Sequence, residues 1–562
     1  MKYINHIFAA ITCILPAIAL TGCVDDDVND GYLTEAQLGS NAEPLVWALG
    51  AEAVDVFNYS GGEKHYDWGQ GALMHIRDVM CDDYAVKNSD YDQFSQFEWN
   101  QYLGQDYVPC AVPFYTIYQQ VQVANNLIRA INPDNASNTQ LGYLGAGYAN
   151  RAWIYLDAAR MYECLPAYKY STVNSSGNDV QGLTLPIVTE KTTLNEATKN
   201  PRATHYQMFN FIMSDLDAAE KYISNLIISS KSIPHLNVVY GLKARAYMWH
   251  ASFMAEGVTI PSDTLNTEVG ALTASESFAK AQEYARKAID LGQNTPMTQY
   301  EWTDVATGFN TNVSSWMYSM TLVKESDAVQ TGIINWVSWC SNETSFGYAS
   351  AGPMPLASAK FYNRISDNDF RKLSWKAPAD GKLSGKESYV SADLFDGFPD
   401  YASLKFRPGS GNADDYTVSC VVSVPLMRIE EMYFIEAEAA IQQGKLDEGK
   451  QLLVDFIKTY RNPSYAATAT DKDALISELL FQKQIELWGE GQTFFDYKRL
   501  NRPIDRIYDG TNFSDKAQLS TKERPAWMNF VITRGETQTN TALKDWNTPD
   551  PSNLYTAGVI SE

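Results

Sequence analysis

Paired helical segments recur along this chain and favour an all-α fold. Phe114, Ile117 and Val121 recur at helical spacing, and in the next segment small residues such as Gly145 and Ala149 alternate with large ones. Closely packed antiparallel helices need small side chains opposite large ones. Because later pairs follow at irregular spacing, we predict a degenerate tetratricopeptide-like helical-repeat scaffold with little β structure. The predicted helical pairs lie near residues 113–165, 201–256, 277–292 and 425–500.

Long irregular loop inserts separate these pairs. They are rich in Gly, Asn, Ser, Asp, Tyr and Trp, and loops mounted on a rigid scaffold commonly carry binding sites. No Gly/Ser/Pro-rich linker of useful length divides the chain, so we predict a single domain over residues 23–562. The inserts are residues 57–110, 170–200, 294–424 and 502–562.

Residues 1–22 have the pattern of a cleaved signal peptide. A positive charge at Lys2 precedes an apolar stretch over residues 7–20, which is too short to span a bilayer because a span takes about 20 residues. Cys23 follows two small residues, at the position where bacterial lipoproteins carry an acylated thiol. The pattern therefore predicts a lipid anchor at Cys23. A plain secretory signal followed by a chance cysteine is the alternative.

Charge and motif content exclude several classes of function. The net charge is −23, and neither a basic run nor a phosphate-binding loop occurs, so nucleic acid is excluded as a partner. The cysteines after Cys23 are widely spaced and form no zinc-binding pattern, so we predict no metal site and no cofactor. HExxH, GxSxG and GxxxxGK[ST] motifs are all lacking. We therefore predict a protein that binds its ligand without acting as an enzyme.

The sequence near the C-terminus resembles the signature of the SusD/RagB family of outer-membrane nutrient-binding lipoproteins. Residues 479–491, LLFQKQIELWGEG, lead into FFDYKRL at 494–500. Gln484 stands where the family pattern has an arginine, which indicates a divergent branch. Further blocks resemble the family in the same order along nearly the whole mature chain. These blocks begin at Arg151, Pro201, Ala244 and Arg428.

The resemblance implies where the protein works and with what. Residues 25–27 are three aspartates, which resemble the acidic tag that sends Bacteroidetes lipoproteins to the outer face of the outer membrane. The family implies capture of a nutrient oligomer and its delivery to a SusC-like TonB-dependent transporter. A glycan is the favoured ligand. The alternatives are a peptide-binding RagB-like receptor, a surface glycoside hydrolase and a periplasmic repeat scaffold.

Aromatic residues in polar loops are the candidate ligand-binding residues. A pyranose has an apolar C–H face and a rim of hydroxyls, so its binding surface needs flat rings beside polar groups. The resemblance implies that the ligand surface draws on the N-terminal loop region and on the insert after the third helical pair. Packing in the core is the alternative role for each ring. The candidates are Tyr66, Asp67, Trp68, Trp99, Asn100, Trp302, Trp316 and Trp336.

Charged residues of the C-terminal signature have a predicted structural role. Glu486, Glu490, Asp496 and Arg499 lie close together along a helix and its exit. We expect them to form ion pairs that fix the C-terminal segment to the repeats. A catalytic carboxylate pair is the alternative.

Overall fold

A computed structural model describes residues 41–54, 65–67, 69–87, 89–260 and 272–560. The predicted lipidation site Cys23 and the candidate Trp68 lie outside the described residues, as does the side chain of Asp67. None of the helices within these ranges combines the length and the apolar character that a membrane crossing needs.

Helices form most of the regular structure in the described ranges. Those of seven or more residues are α1 (Glu43–Glu52), α2 (Gly69–Val79), α3 (Val108–Ala130), α4 (Asn138–Tyr162), α5 (His205–Tyr222), α6 (Leu236–Glu256), α7 (Ala274–Asp290), α8 (Ile429–Gln442), α9 (Leu446–Tyr460), α10 (Lys472–Leu487) and α11 (Thr493–Arg499). Shorter α-helical turns are Ser95–Glu98, Leu194–Ala197, Gln299–Thr303, Asp327–Gln330, Trp336–Cys340, Gly347–Ala351, Ala359–Arg364, Ala392–Asp396, Tyr416–Ser419 and Arg534–Thr539. Single 3₁₀ turns are His65–Asp67, Ile223–Asn225, Phe370–Ser374, Gly409–Gly411, Ala526–Met528 and Thr541–Leu543.

The long helices that follow one another in the sequence pack against one another. Each helix from α3 to α8 packs against the next, and α8 also packs against α9 and α10. The small residues of α4 indicate close packing of helices, and two of its glycines allow the backbone that follows α5 to approach closely. A Cβ atom on Gly142 would lie 2.5 Å from the backbone of Asn225, and one on Gly145 would lie 2.8 Å from the backbone of Ile223. The predicted all-α scaffold is confirmed.

Four short strands pair in the described residues, in two antiparallel sheets of two. These are β1 (Tyr84–Val86) with β3 (Pro355–Ala357), and β2 (Trp316–Thr321) with β4 (Ser423–Arg428). Strands β2 and β3 belong to the insert that follows α7, and β4 leads directly into α8. The two sheets therefore fasten the insert to the helical scaffold.

Helix α2 lies in the insert over residues 57–110, where no helical pair is predicted. All eleven of its residues are buried, including the polar side chains of Gln70, His75, Arg77 and Asp78. A helix covered on every side has no solvent face to alternate with a core face. Its polar groups find partners inside the protein instead: the Arg77 guanidinium donates to the carbonyl oxygen of Gly491 at 2.9 Å.

The C-terminal signature forms the predicted ion pairs. The Glu486 carboxylate lies between three buried arginines, at 3.0 Å from Arg371, 3.0 Å from Arg428 and 2.7 Å from Arg461. These guanidinium groups hold the pKa of Glu486 well below its ordinary value, despite its burial. Removing one partner of a buried ion pair costs about 3–5 kcal/mol. The signature residues therefore stabilise the junction between α10 and the insert.

The other signature residues make the same kind of contact. Glu490 accepts from Arg428 at 2.9 Å, and Asp496 accepts from Lys483 at 2.9 Å. Arg499 pairs with Glu438 of α8 at 2.6 Å. The prediction that this group ties the C-terminal segment to the repeats is confirmed.

Candidate functional site

The structure places three of the candidate tryptophans in the core. Trp302, Trp316 and Trp336 are 1%, 0% and 2% exposed. The indole N–H of Trp302 donates to Ser374 Oγ at 2.7 Å, and its ring packs edge to face against Phe309. Since a stacked sugar needs an open ring face, these burials correct the assignment of the three rings to a ligand surface. They fill the space between the insert and the scaffold.

Two further candidates also have internal partners. Asn100 is 1% exposed, and its amide donates to the carbonyl oxygen of Pro551 at 3.2 Å. Tyr66 is 4% exposed and packs edge to face on Phe97, with 5.7 Å between ring centroids. Their burial corrects the prediction that they contact ligand, because neither side chain reaches the surface.

Trp99 is the candidate whose ring lies at the surface. It is partly buried, and it packs on a small apolar cluster together with Phe395 and Tyr508. Tyr389, 40% exposed, stacks on Phe395 with 4.4 Å between ring centroids and 17° between ring planes. We call Trp99, Tyr389, Phe395 and Tyr508 the aromatic platform. The supporting cluster consists of Ala85, Met354, Leu356, Phe398, Ala402, Leu404, Phe513 and Ala517.

The β1–β3 sheet supports the aromatic platform from below. Ala85 of β1 pairs with Leu356 of β3, and Leu356 also bridges to Ala402. The N-terminal region and the insert thus meet in one sheet. Trp99, Phe395 and Tyr508 each pack on the apolar cluster that this sheet shares with the segment after α11.

Arg506 fixes the backbone beneath Trp99. Its guanidinium is fully buried and donates to the carbonyl oxygens of Val79, Cys81 and Glu98, at 2.8, 3.1 and 2.8 Å. The last of these carbonyls belongs to the residue before Trp99. Hydrogen bonds from a charged donor contribute about 1.5–3 kcal/mol each. Arg506 is therefore a positioning residue for the Trp99 ring.

Lysine side chains lie over three rings of the platform. The Nζ atom of Lys516 lies 4.4 Å from the Trp99 ring centroid, that of Lys376 lies 4.9 Å from the Phe395 centroid, and that of Lys360 lies 5.8 Å from the Tyr508 centroid. A cation at an exposed ring contributes about 0.5–1 kcal/mol. The platform therefore presents flat apolar faces with positive charge beside them.

Three carboxyl groups of the N-terminal region have raised pKa values. Burial raises the pKa of Asp92 to about 6, and burial together with the neighbouring Asp92 raises that of Glu98 to about 8. Burial and the neighbouring Asp82 raise the pKa of Asp83 to about 7. Arg506 opposes the rise in pKa at Glu98 and at Asp83. These groups therefore hold their protons more tightly in the folded protein than in water.

Glu163, His205 and His250 form a buried series of hydrogen bonds that resembles a catalytic relay. His205 Nδ1 lies 2.6 Å from a Glu163 oxygen, and His205 Nε2 lies 2.9 Å from His250 Nδ1. The three residues are 0–2% exposed, and the His205 ring is stacked on Phe253 at 3.8 Å. No substrate reaches them in this packing, so their role is structural. Among the residues with described positions, no group of three or more His, Cys, Asp or Glu side chains is arranged to hold a metal ion.

The aromatic platform contains residues that the sequence does not single out. Phe395 and Tyr508 lie in loop inserts but are not tryptophans, and Tyr389 is their neighbour. The segment from residue 389 to 398, YVSADLFDGF, places three aromatic residues among polar ones. Aromatic residues among polar ones in a loop insert could have identified this segment from the sequence. Their meeting with Trp99 depends on contacts between distant parts of the chain.

Two family models match this chain in separate regions. A model described as the SusD family matches residues 417–555. A second model, described as starch-binding and associating with the outer membrane, matches residues 63–248. The second match contains Trp99, and the first contains Tyr508 and the ion-paired signature.

Solved structures of similar fold come from three species of Bacteroides. A SusD-like carbohydrate-binding protein from Bacteroides vulgatus is 20% identical, with a TM-score of 0.66 over 91% of this chain and 98% of that chain. A SusD superfamily protein from Bacteroides thetaiotaomicron is 17% identical, with a TM-score of 0.64 over 90% and 98%. A SusD-like protein from Bacteroides fragilis is 13% identical, with a TM-score of 0.62 over 93% and 99%. No curated protein sequence matches. At these identities the structures establish a shared fold.

Proposed function

This chain is a SusD/RagB-like protein, and we propose that it captures a glycan at the cell surface through its aromatic platform. The observation that carries the proposal is that the partly exposed rings of Trp99, Phe395 and Tyr508 pack on one apolar cluster, with the exposed Tyr389 stacked on Phe395. The description of the family model that covers Trp99 as starch-binding supports a glycan over other ligands.

Binding would proceed by stacking, without covalent change. The apolar C–H face of a pyranose lies against Trp99, while its hydroxyl groups remain at the edge of the ring and in contact with water. Tyr389, which is 40% exposed and is backed by Phe395, provides a second ring for a further sugar unit. A rigid, preorganised surface lowers the entropic cost of binding an extended oligomer.

The proposed location is the outer face of the outer membrane, with a lipid anchor at Cys23. The signal peptide pattern that ends at Gly22 supports an anchor, and the matched model's association with the outer membrane supports the compartment. From there the protein would deliver its ligand to a SusC-like TonB-dependent transporter. Protease treatment of intact cells tests the location, because a periplasmic protein would survive it. Co-purification with the transporter tests the partnership.

Affinity electrophoresis of the purified mature protein in gels that contain a panel of glycans tests the binding proposal. We expect one or more glycans to retard the protein, and Trp99→Ala to abolish the retardation. Trp47→Ala is the matched control, since Trp47 is 43% exposed and lies on α1 outside the platform. Retardation that Trp99→Ala leaves unchanged would contradict the proposal.

The same samples separate the rival functions. Shortened glycan products after incubation would identify a glycoside hydrolase. Peptides that displace the bound glycan, or that bind where no glycan does, would identify a RagB-like peptide receptor. We expect intact glycans and no displacement.

A further inference from the structure

Lys516 occupies the position over Trp99 that a stacked sugar would take. Its side chain is exposed, and its Nζ atom lies 4.4 Å from the centroid of the Trp99 ring. The same ring packs on the apolar cluster. A sugar that stacks on Trp99 must therefore meet or displace this ammonium group.

The other two lysines of the platform are held by internal partners. Lys360 Nζ forms an ion pair with Asp505 at 2.5 Å. Lys376 Nζ donates to the carbonyl oxygens of Phe395 and Phe398 at 2.9 and 2.7 Å. Across the described ranges, no carboxylate oxygen lies within 4.0 Å of the Lys516 ammonium. Lys516 is the platform cation whose charge is available to a ligand.

A sugar stacked on Trp99 moves the Lys516 ammonium to the edge of that sugar. The four-carbon stem of lysine allows this movement, and the exocyclic substituents of a pyranose lie at its edge. A carboxylate or sulfate there would form a charge-assisted hydrogen bond with the ammonium. A neutral sugar would break the contact between the lysine and the ring and replace it with a weaker bond.

We propose that the aromatic platform selects acidic glycans, with Lys516 binding an anionic group on the sugar stacked against Trp99. This inference rests on the proposed function and names the class of its ligand. The protein's net charge of −23 does not oppose it at contact distance, because charges more than about 8 Å apart are largely screened at physiological ionic strength. The selection is therefore local to the Trp99 ring.

Matched pairs of acidic and neutral glycans test the inference. The probes are an oligogalacturonide with its methyl ester, which carries no charge, and dextran sulfate with unmodified dextran. The dissociation constants are measured by titration calorimetry in 0.15 M NaCl. We expect the wild-type protein to bind the acidic member of at least one pair about tenfold more tightly than the neutral member, which is typical of one charge-assisted contact. The pair that responds shows whether carboxylate or sulfate is recognised.

Two variants assign the preference to Lys516. Lys516→Met keeps the length of the side chain and removes its charge, so we expect the acidic preference to fall to about twofold or less. Lys516→Arg keeps the charge and should retain the preference. An unchanged preference in Lys516→Met, or no preference for an acidic member in the wild-type protein, would overturn the inference.

The outcome also distinguishes this inference from the proposed function. Equal binding of the acidic and neutral glycans that Trp99→Ala abolishes would overturn acidic selection and leave glycan capture standing. If no glycan, acidic or neutral, binds in a manner that depends on Trp99, then glycan capture by the platform fails and the acidic selection fails with it.

Discussion

Trp302 and Trp99 both have cations over their rings, yet the two regions differ in what holds those cations. Lys405, Arg428 and Arg461 lie 5.2–5.5 Å from the Trp302 ring centroid. All three are buried and paired with carboxylates. The single lysine over Trp99 is exposed. The ring in the core therefore belongs to a network that stabilises the fold, whereas the ring at the surface is open to exchange its cation for a ligand.

The largest expected effect comes from removing the carboxylate that holds the Trp302 region together. Glu486→Gln should lower the free energy of unfolding by about 3–5 kcal/mol, because three buried arginines lose a shared negative partner. Urea unfolding followed by circular dichroism measures the change. Glu283→Gln is the control, since its pairs with Lys280 and Lys287 are exposed and each contributes at most about 1 kcal/mol. Equal losses of unfolding free energy in the two variants would contradict the distinction between the buried ion-pair network and the exposed pairs.

Removing the Trp302 ring should have a comparable effect on stability. Trp302→Ala leaves a cavity among buried rings and cations, and such truncations cost about 3 kcal/mol or more. Unfolding in urea again provides the measurement. A loss below about 1 kcal/mol would mean that the surrounding side chains do not depend on this ring.

The pH dependence of stability should reveal the buried acids of the N-terminal region. Asp83 has a pKa raised to about 7, so it binds its proton more tightly in the folded chain than in the unfolded one, where the pKa is about 3.9. It therefore favours folding most at low pH, and this contribution disappears as pH rises through 7. Between about pH 4 and 7 the group therefore lowers the free energy of unfolding by on the order of 1 kcal/mol per pH unit, and above pH 7 it adds no further pH dependence. Unfolding midpoints from pH 5 to 9 measure the trend, and Asp83→Asn should flatten it.

Trp99→Ala should have the smallest effect on stability. Its ring is only partly buried, and surface substitutions away from special features change stability by about 0.5 kcal/mol. We expect a loss of no more than about 1 kcal/mol together with the loss of glycan binding. A loss as large as that of Trp302→Ala would place Trp99 among the core rings.

The scaffold was predictable because its evidence is local. Small residues such as Gly145 opposite large ones indicated packed helices, and the close spacing of Glu486 and Glu490 indicated ion pairs at one junction. Helix α2 was missed because it lies within a loop-like insert, although Leu73, Ile76 and Val79 recur there at helical spacing.

The site was predictable only in part because its evidence is long-range. Trp302 and Trp99 both stand beside polar residues in the sequence. What separates them is coverage by distant parts of the chain: Trp302 is covered by Phe309 and by cations more than a hundred residues away, while among the described residues Lys516 is the one cation over the Trp99 ring. The residues next to a tryptophan in the sequence do not show which distant residues will cover its ring.

The hydrogen bonds of Arg506 determine when, during synthesis of the chain, the backbone before Trp99 can take its final position. Arg506 contacts the carbonyl of Glu98 across 408 positions of the chain, and that of Val79 across 427. A chain synthesised from its N-terminus cannot fix the backbone before Trp99 until residue 506 has been added. A truncation before residue 506 would leave the helical repeats able to pair but would deprive the Trp99 ring of this support. The position of Trp99 therefore depends on completion of the polypeptide.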